Sequence, residues 1–200
     1  MSESRIAIVG LGYVGLPLAI EFGKLFETVG FDVKQSRIEE LLAGKDSTFE
    51  VTSEELKNAT LLSFTCNEED IKNSNIYIIT VPTPIDDFKK PDLVPLISAS
   101  RTVGKLLKHG DLVIYESTVY PGLTEEICLP IIEKITKLKC NYNEDKDGFH
   151  IGYSPERINP GDKDHRIDNT VKIISASSSY ALNKIKYIYS KVTKNNLHIS

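Results

Sequence analysis

The sequence predicts an α/β fold, a doubly wound and mostly parallel sheet with helices on both faces. Two observations carry this. Apolar runs of strand length alternate with helix-spaced segments from end to end of the 200 residues, and a Gly-x-Gly-x-x-Gly triplet falls where the first strand should pass into the first helix. A third, compositional, is compatible with it: 40% hydrophobic and 26% charged residues suit a chain that buries a core.

In chain order, residues 5–10 (RIAIVG) form a buried strand, followed by a helix using Leu16, Ala19, Ile20, Phe22 and Gly23 as its small and apolar positions. Residues 27–32 form a second strand that ends on an acid. Residues 36–44 form a short helix that Gly44 terminates. Thr52 and Glu55 have the spacing of a capping box for a further helix. A strand at 61–65 and a short helix at 68–73 lead into residues 75–81, a β-branched run that suits a strand covered on both faces. A helix follows from Leu93 to His109, with Gly110 expected as its C-cap. Residues 111–118 form the next strand. Residues 124–138 form a helix with acids first and lysines last, bent at Pro130. A strand at 149–154, a turn-rich loop, the run VKIIS, a helix over Tyr180 to Val192 and the stub LHIS complete the order. Residues 140–148 are the expected exposed loop. All 200 residues are assigned to one domain, with about 190–200 leading toward another.

Charge and cysteines exclude several classes. Lys and Arg number 24 against 28 Asp and Glu, a net charge of −4 with an isoelectric point near 5.6, which speaks against a nucleic-acid module. Cys66, Cys128 and Cys140 are an odd set without CxxC spacing, which disfavours a disulfide framework or structural zinc and favours a reducing, cytoplasmic setting. His109, His150, His165 and His198 show no metal-ligand spacing, so no metal is expected. The apolar run after Arg5 superficially resembles a signal peptide, but no small-residue cleavage site follows, and no stretch approaches a membrane span.

Gly10, Gly12 and Gly15 sit in the strand–turn–helix context that a Rossmann-like dinucleotide site requires. Gly10 permits the tight turn, Gly12 lets the backbone approach a pyrophosphate, and Gly15 lets the helix pack on the sheet. A glycine-rich turn without ligand is the other reading. Asp32 lies 22 residues after Gly10, where an acid binds the ribose hydroxyls and repels a 2′-phosphate, favouring NAD over NADP. Lys34 and Arg37 follow closely and temper that preference; an ordinary turn-forming aspartate is the alternative. TVPTP (80–84) and ESTVYPG (116–122) put hydroxyls and prolines where parallel strands leave the sheet, on the ligand side, although generic turns look similar. Glu156 and Arg157 again follow a strand and read either as site residues or as a surface pair.

Taken in order, GLGYVGLPLA, GFDVKQSRIEEL, TVPTP, ESTVYPGLTEE and GYSPERINPGDK resemble the UDP-glucose/GDP-mannose dehydrogenase family, the nucleotide-sugar 6-dehydrogenases, from Arg5 to about Val192. The YPG and PERINPGD forms look most like the branch that oxidises UDP-N-acetylhexosamines for surface polysaccharides such as capsule. UDP-glucose enzymes usually carry a second glutamate where this chain has Pro160. The resemblance implies oxidation of C6 from alcohol to acid in two NAD-dependent steps, through a cysteine thiohemiacetal and a thioester. It implies that Thr118 and Glu156 are catalytic, and that Glu156, Arg157, Ile158 and Asn159 line the sugar. Gly10, Gly12, Tyr13, Val14, Gly15, Asp32, Lys34, Arg37, Val81, Pro82, Thr83, Ser117 and Thr118 would contact NAD.

The family's nucleophilic cysteine lies in a middle domain, and none of the three cysteines here has its context. The chain is therefore expected to be a truncated cofactor domain that binds NAD without turning over UDP-sugar. Its missing parts would include the middle and UDP-binding domains, and the full-length protein would be a homodimer or larger. Two competing readings are a relative of the 6-phosphogluconate and 3-hydroxyacid dehydrogenases, and a stand-alone NAD-binding regulatory module.

Overall fold

The computed structural model describes residues 4–85, 90–143, 147–156, 167, 170–194 and 196–200. Eight strands form one sheet in the order β3-β2-β1-β4-β5-β6-β7-β8. They are β1 (Arg5–Val9), β2 (Glu27–Phe31), β3 (Leu62–Thr65), β4 (Ile76–Ile79), β5 (Leu112–Tyr115), β6 (His150–Tyr153), β7 (Lys172–Ala176) and β8 (Leu197–Ile199). The strands from β3 to β6 are all parallel. The sheet is mostly parallel, as expected; its one reversal is β7, which pairs antiparallel with β6, and β8 then joins β7 in parallel. An apolar strand buried on both faces has the same composition in either direction, so the pattern alone does not encode this reversal.

The helices are α1 (Gly15–Gly23), α2 (Gln35–Leu42), α3 (Ser53–Asn58), α4 (Val94–Leu106), α5 (Leu129–Thr136) and α6 (Ser179–Val192). Side chains of a strand alternate between faces, and two cores result. Ile6, Ile8, Ile78 and Ile114 pack with Leu16, Ile20 and Phe22 of α1 and with Ile185, Ile188 and Tyr189 of α6. Ala7, Val9, Tyr77, Ile79 and Val113 pack on the other face with Leu96 and Val103 of α4 and Ile132 of α5. The buried tyrosines there remain satisfied: Tyr77 donates to the Ile71 carbonyl at 3.2 Å, and the Tyr115 hydroxyl pairs with Ser100 Oγ at 2.7 Å.

Local signals explain most boundaries. Thr52 and Glu55 form the capping box, with Thr52 Oγ1 accepting from Glu55 N–H at 3.2 Å and Glu55 accepting from Thr52 N–H at 2.8 Å. Three expectations need correction. The segment 68–73 is a 3₁₀ turn over Glu68–Ile71. Helix α4 ends at Leu106, because Leu107 turns extended (ψ 140°), and Gly110 instead serves the next turn at φ 79°, donating to the Gly148 carbonyl at 2.7 Å. The helix expected over 124–138 opens as a π turn at Thr124–Cys128 and becomes α-helical only from Leu129. Pro130 therefore sits in the first turn of α5, where a missing N–H is tolerated, and the irregularity precedes it. The loop 140–148 is anchored as well as exposed, since Cys140 and Asn141 are buried.

Asp111, just before β5, is buried, and burial pushes its carboxyl up from 3.8 to about 6 against the opposing pull of the Lys108 N–H and of Lys108 and Lys184. The folded state thus holds this proton more tightly than the unfolded chain. The associated stability is fully present below about pH 4 and is lost as pH rises through about 6, on the order of 3 kcal/mol for such a shift. Asp111→Asn keeps an acceptor for Lys108 N–H and removes the charge. Thermal unfolding should show the variant more stable than wild type at pH 8 and equal to it near pH 4; a less stable variant at pH 8 would contradict this.

Candidate functional site

The chain winds outward from β1 to β3 on one side and from β4 to β8 on the other, so the sheet changes direction between β1 and β4. Loops leaving the carboxyl ends of these two strands diverge to opposite faces and leave a crevice there. A cleft of about 960 Å³ occupies it.

The glycine turn forms its floor. Gly10 has φ 100°, a conformation that L side chains rarely adopt, and its N–H donates to the Phe31 carbonyl at 2.8 Å. Gly15 opens α1, and a Cβ there would lie 1.8 Å from the Gly10 carbonyl oxygen and 2.4 Å from Thr80 Oγ1. Thr80, at the end of β4, donates from that hydroxyl to the Gly10 carbonyl at 2.7 Å. Gly12 differs from both. A Cβ there meets no atom within 4 Å, because it faces the open cleft. Helix α1 carries no side-chain cap and no acid in its first turn. Leu16 N–H and Leu18 N–H pair with the Gly12 and Val14 carbonyls and Pro17 has no N–H, so what α1 offers an external anion is its positive dipole end and the glycine turn that precedes it.

At one end of the cleft stand Asp32, Lys34, Ser36, Arg37, Glu40, Ser47 and Thr48. Asp32 accepts from Leu11 N–H and Lys34 N–H, both at 2.9 Å, so it fixes the glycine loop while its carboxylate lines the cleft. The turn-forming and ligand-facing readings of this residue are therefore compatible. Lys34 is exposed. Arg37 is buried and committed: Nε donates to the Leu11 carbonyl at 2.9 Å, Nη1 to Glu40 at 3.1 Å and Nη2 to Asp46 at 2.8 Å. The Asp46 carboxylate also receives the N–H groups of Thr48, Glu50 and Val51, and these bonds with Arg37 hold it below its ordinary value despite burial.

At the other end lie Val81, Pro82, Thr83, Glu116, Ser117, Thr118 and Glu156. The two proline-bearing loops are stitched together: Ser117 Oγ donates to the Val81 carbonyl at 2.6 Å, and Thr83 Oγ1 donates to the Thr118 carbonyl at 2.8 Å. Tyr13 and Val14 also line the cleft, as do Val94, Pro95 and Ser98 of α4, and Gly15 lies beneath it. Arg157, Ile158 and Asn159 lie outside the described residues, as does Pro160. Among the described residues no cluster of His, Cys, Asp and Glu could hold a metal. None of the three cysteines lines the cleft, and burial pushes the thiols of Cys128 and Cys140 up, which disfavours a nucleophilic thiolate.

Sequence reasoning passed over Thr80, Glu116 and Lys172. The first two lie inside motifs singled out as TVPTP and ESTVYPG. Lys172 donates to both Glu116 and Glu156, the latter at 3.0 Å, and Tyr189 donates to Glu116.

A family model described as the NAD binding domain of the UDP-glucose/GDP-mannose dehydrogenase family matches residues 4–193. The chain belongs to this family. Within it, the chain is 54% identical to a UDP-N-acetyl-D-glucosamine 6-dehydrogenase of Pseudomonas aeruginosa, covering 99% of this chain and 46% of that protein. It is 50% identical to Protein CapL of Staphylococcus aureus, covering 97% of this chain and 44% of that protein. The solved UDP-D-ManNAc dehydrogenase of Pyrococcus horikoshii superposes with a TM-score of 0.88 at 34% identity, over 98% of this chain and 46% of that one. The chain spans about half the length of these curated relatives. NAD is the cofactor of this family domain, and the cleft fits it. The open space at Gly12 and the uncapped α1 suit a pyrophosphate, and the Asp32 carboxylate suits a ribose diol. No helix among the described residues is long and apolar enough to cross a membrane.

The two glycines therefore separate folding from binding. Gly15→Ala drives a methyl into the Gly10 carbonyl and should lower stability by about 2–4 kcal/mol, read from denaturant midpoints. A Cβ at Gly12 meets no protein atom within 4 Å, so Gly12→Val should unfold close to wild type while losing NAD binding in calorimetry. Unchanged NAD affinity in Gly12→Val would remove the pyrophosphate assignment.

Proposed function

We propose that this chain is the cofactor half of an NAD-dependent nucleotide-sugar 6-dehydrogenase that oxidises C6 of a UDP-N-acetylhexosamine to the uronic acid for surface polysaccharide synthesis. The observation that carries the reading is the convergence on one cleft of the glycine turn, Asp32, the stitched 81–83 and 117–118 loops, and Glu156. The similarity to a UDP-N-acetyl-D-glucosamine 6-dehydrogenase supports the acetylated substrate.

In this reading NAD, when bound, accepts the two hydrides that the oxidation releases. The glycine turn and the positive end of α1 hold the pyrophosphate, and Asp32 accepts hydrogen bonds from the adenosine ribose. Tyr13, Val14 and Lys34 complete the adenosine and pyrophosphate contacts, and Arg37 lines the same end while its guanidinium stays on protein partners. Val81, Pro82, Thr83 and Ser117 wall the opposite end, where the nicotinamide is placed. Thr118, exposed on its loop, orients a water beside that ring. Glu156, half-buried and facing the same end, acts as the base that activates water for thioester hydrolysis. Arg157, Ile158 and Asn159 are assigned to the sugar by their motif.

The thioester's cysteine is assigned to a further domain, as are the UDP contacts and the pairing of subunits into a dimer or larger assembly. The three described cysteines are free, which suits a reducing compartment, and we place the reaction in the cytoplasm.

Cofactor choice follows from the adenosine end. The Arg37 guanidinium is spent on Leu11, Glu40 and Asp46, so of the two nearby cations only the exposed Lys34 is left to meet a 2′-phosphate against the Asp32 charge. Calorimetry should give NAD⁺ an affinity at least about tenfold above NADP⁺, the size of one well-placed charge interaction. Asp32→Ala should narrow that gap, mainly by weakening NAD⁺. Equal affinities in wild type, unmoved by the substitution, would overturn the ribose assignment. A coupled absorbance assay should detect no NADH from UDP-sugar with this 200-residue chain, and robust turnover would place the nucleophile within it.

A further inference from the structure

Behind the Glu156 end of the cleft, three charged groups and a phenol meet. Each comes from a different element: Glu116 follows β5, Glu156 follows β6, Lys172 opens β7 and Tyr189 lies on α6. The side chains are 0%, 11% and 5% exposed for Glu116, Glu156 and Lys172. A buried lysine with no purpose would be a large liability, since stripping water from an ammonium costs several kcal/mol. Here it donates to both carboxylates, while Tyr189 donates to the far oxygen of Glu116 and presents its ring 5.9 Å from Lys172 Nζ.

We propose that Lys172 is a positioning residue that fixes the Glu156 carboxylate at the reacting end of the cleft and, backed by Glu116 and Tyr189, sets the charge that the nicotinamide meets. The inference rests on the NAD-binding reading of the cleft. Three points support it. Glu116 and Glu156 both line the cleft, whereas Lys172 and Tyr189 stand behind them. Glu116 is fixed through both oxygens, one from Lys172 and one from Tyr189, so Lys172 cannot follow Glu156 outward without breaking a buried pair. Finally, burial alone would push the ammonium down, but the two carboxylates beside it hold Lys172 above its ordinary value, so it stays charged at any physiological pH.

A purely structural lysine and a charge-setting one differ in what they do to the two redox forms of the cofactor. The nicotinamide ring is cationic in NAD⁺ and neutral in NADH. Calorimetry on the 200-residue chain should measure both affinities in wild type, Lys172→Met, Lys172→Arg, Glu116→Gln and the double variant Lys172→Met/Glu156→Gln. Lys172→Met removes a positive charge and should raise the preference for NAD⁺ over NADH about tenfold. Lys172→Arg keeps the charge and should hold the ratio within about twofold of wild type. Glu116→Gln removes a negative charge in a side chain of the same shape and should move the ratio about threefold toward NADH. The double variant should lose most of the Lys172→Met gain.

The proposal is overturned if Lys172→Met changes both affinities by one factor, or if its gain survives intact without the Glu156 charge. Should Lys172→Met fail to fold, Glu116→Gln decides alone, an unchanged ratio being the contrary result. Wild type that binds neither form would overturn the cofactor reading together with this one.

Discussion

The structure depends on one close contact, the approach of α1 to the turn after β1. The Gly10 carbonyl accepts from the Thr80 hydroxyl, and Gly15 lies so near both that no Cβ could intervene. This contact ties β1 to β4 where the sheet changes direction, and it aims the start of α1 into the crevice. The rest of the site is arranged around that fixed point. Asp32 holds the glycine loop from β2 through Leu11 N–H, and Arg37 grips the same residue's carbonyl from α2. Ser117 and Thr83 join the loops after β4 and β5. The cleft is therefore preformed by backbone and short side chains, which lowers the ordering entropy that binding must overcome.

What was legible in the sequence was local. A strand, three spaced glycines and a helix lie within 20 residues, and each glycine's separate task follows from steric rules acting over that span. The capping box at Thr52 and Glu55 was legible for the same reason. The fold class followed from the alternation of apolar runs, since a parallel sheet covered by helices demands it. The family resemblance likewise rested on short ordered motifs.

The features that were not legible depend on register and direction. Thr80 matters because β1 and β4 pair so that its hydroxyl reaches Gly10, 70 residues earlier. Arg37 reads as a free cation beside Asp32, yet Asp46 from the following loop captures it. Lys172 stands at the head of an apolar run, where a lysine is normally solvated. Its burial arises from the antiparallel placement of β7, which brings it to acids 56 and 16 residues away. The boundary of α4 and the π turn before α5 likewise carry no local signal; these two helices share the face over Val103 and Ile132.

The proposed function requires a single cleft to hold one extended dinucleotide, with adenosine at Asp32 and nicotinamide at Glu156. Amide NMR of the ¹⁵N-labelled chain, titrated in parallel with AMP and with NAD⁺, tests this directly. AMP should move the signals of Gly12 and of Asp32 to Lys34 and leave Ser117, Thr118 and Glu156 in place, whereas NAD⁺ should move both sets. If NAD⁺ binds and leaves Ser117, Thr118 and Glu156 unmoved, the two ends do not belong to one site and the proposed function fails.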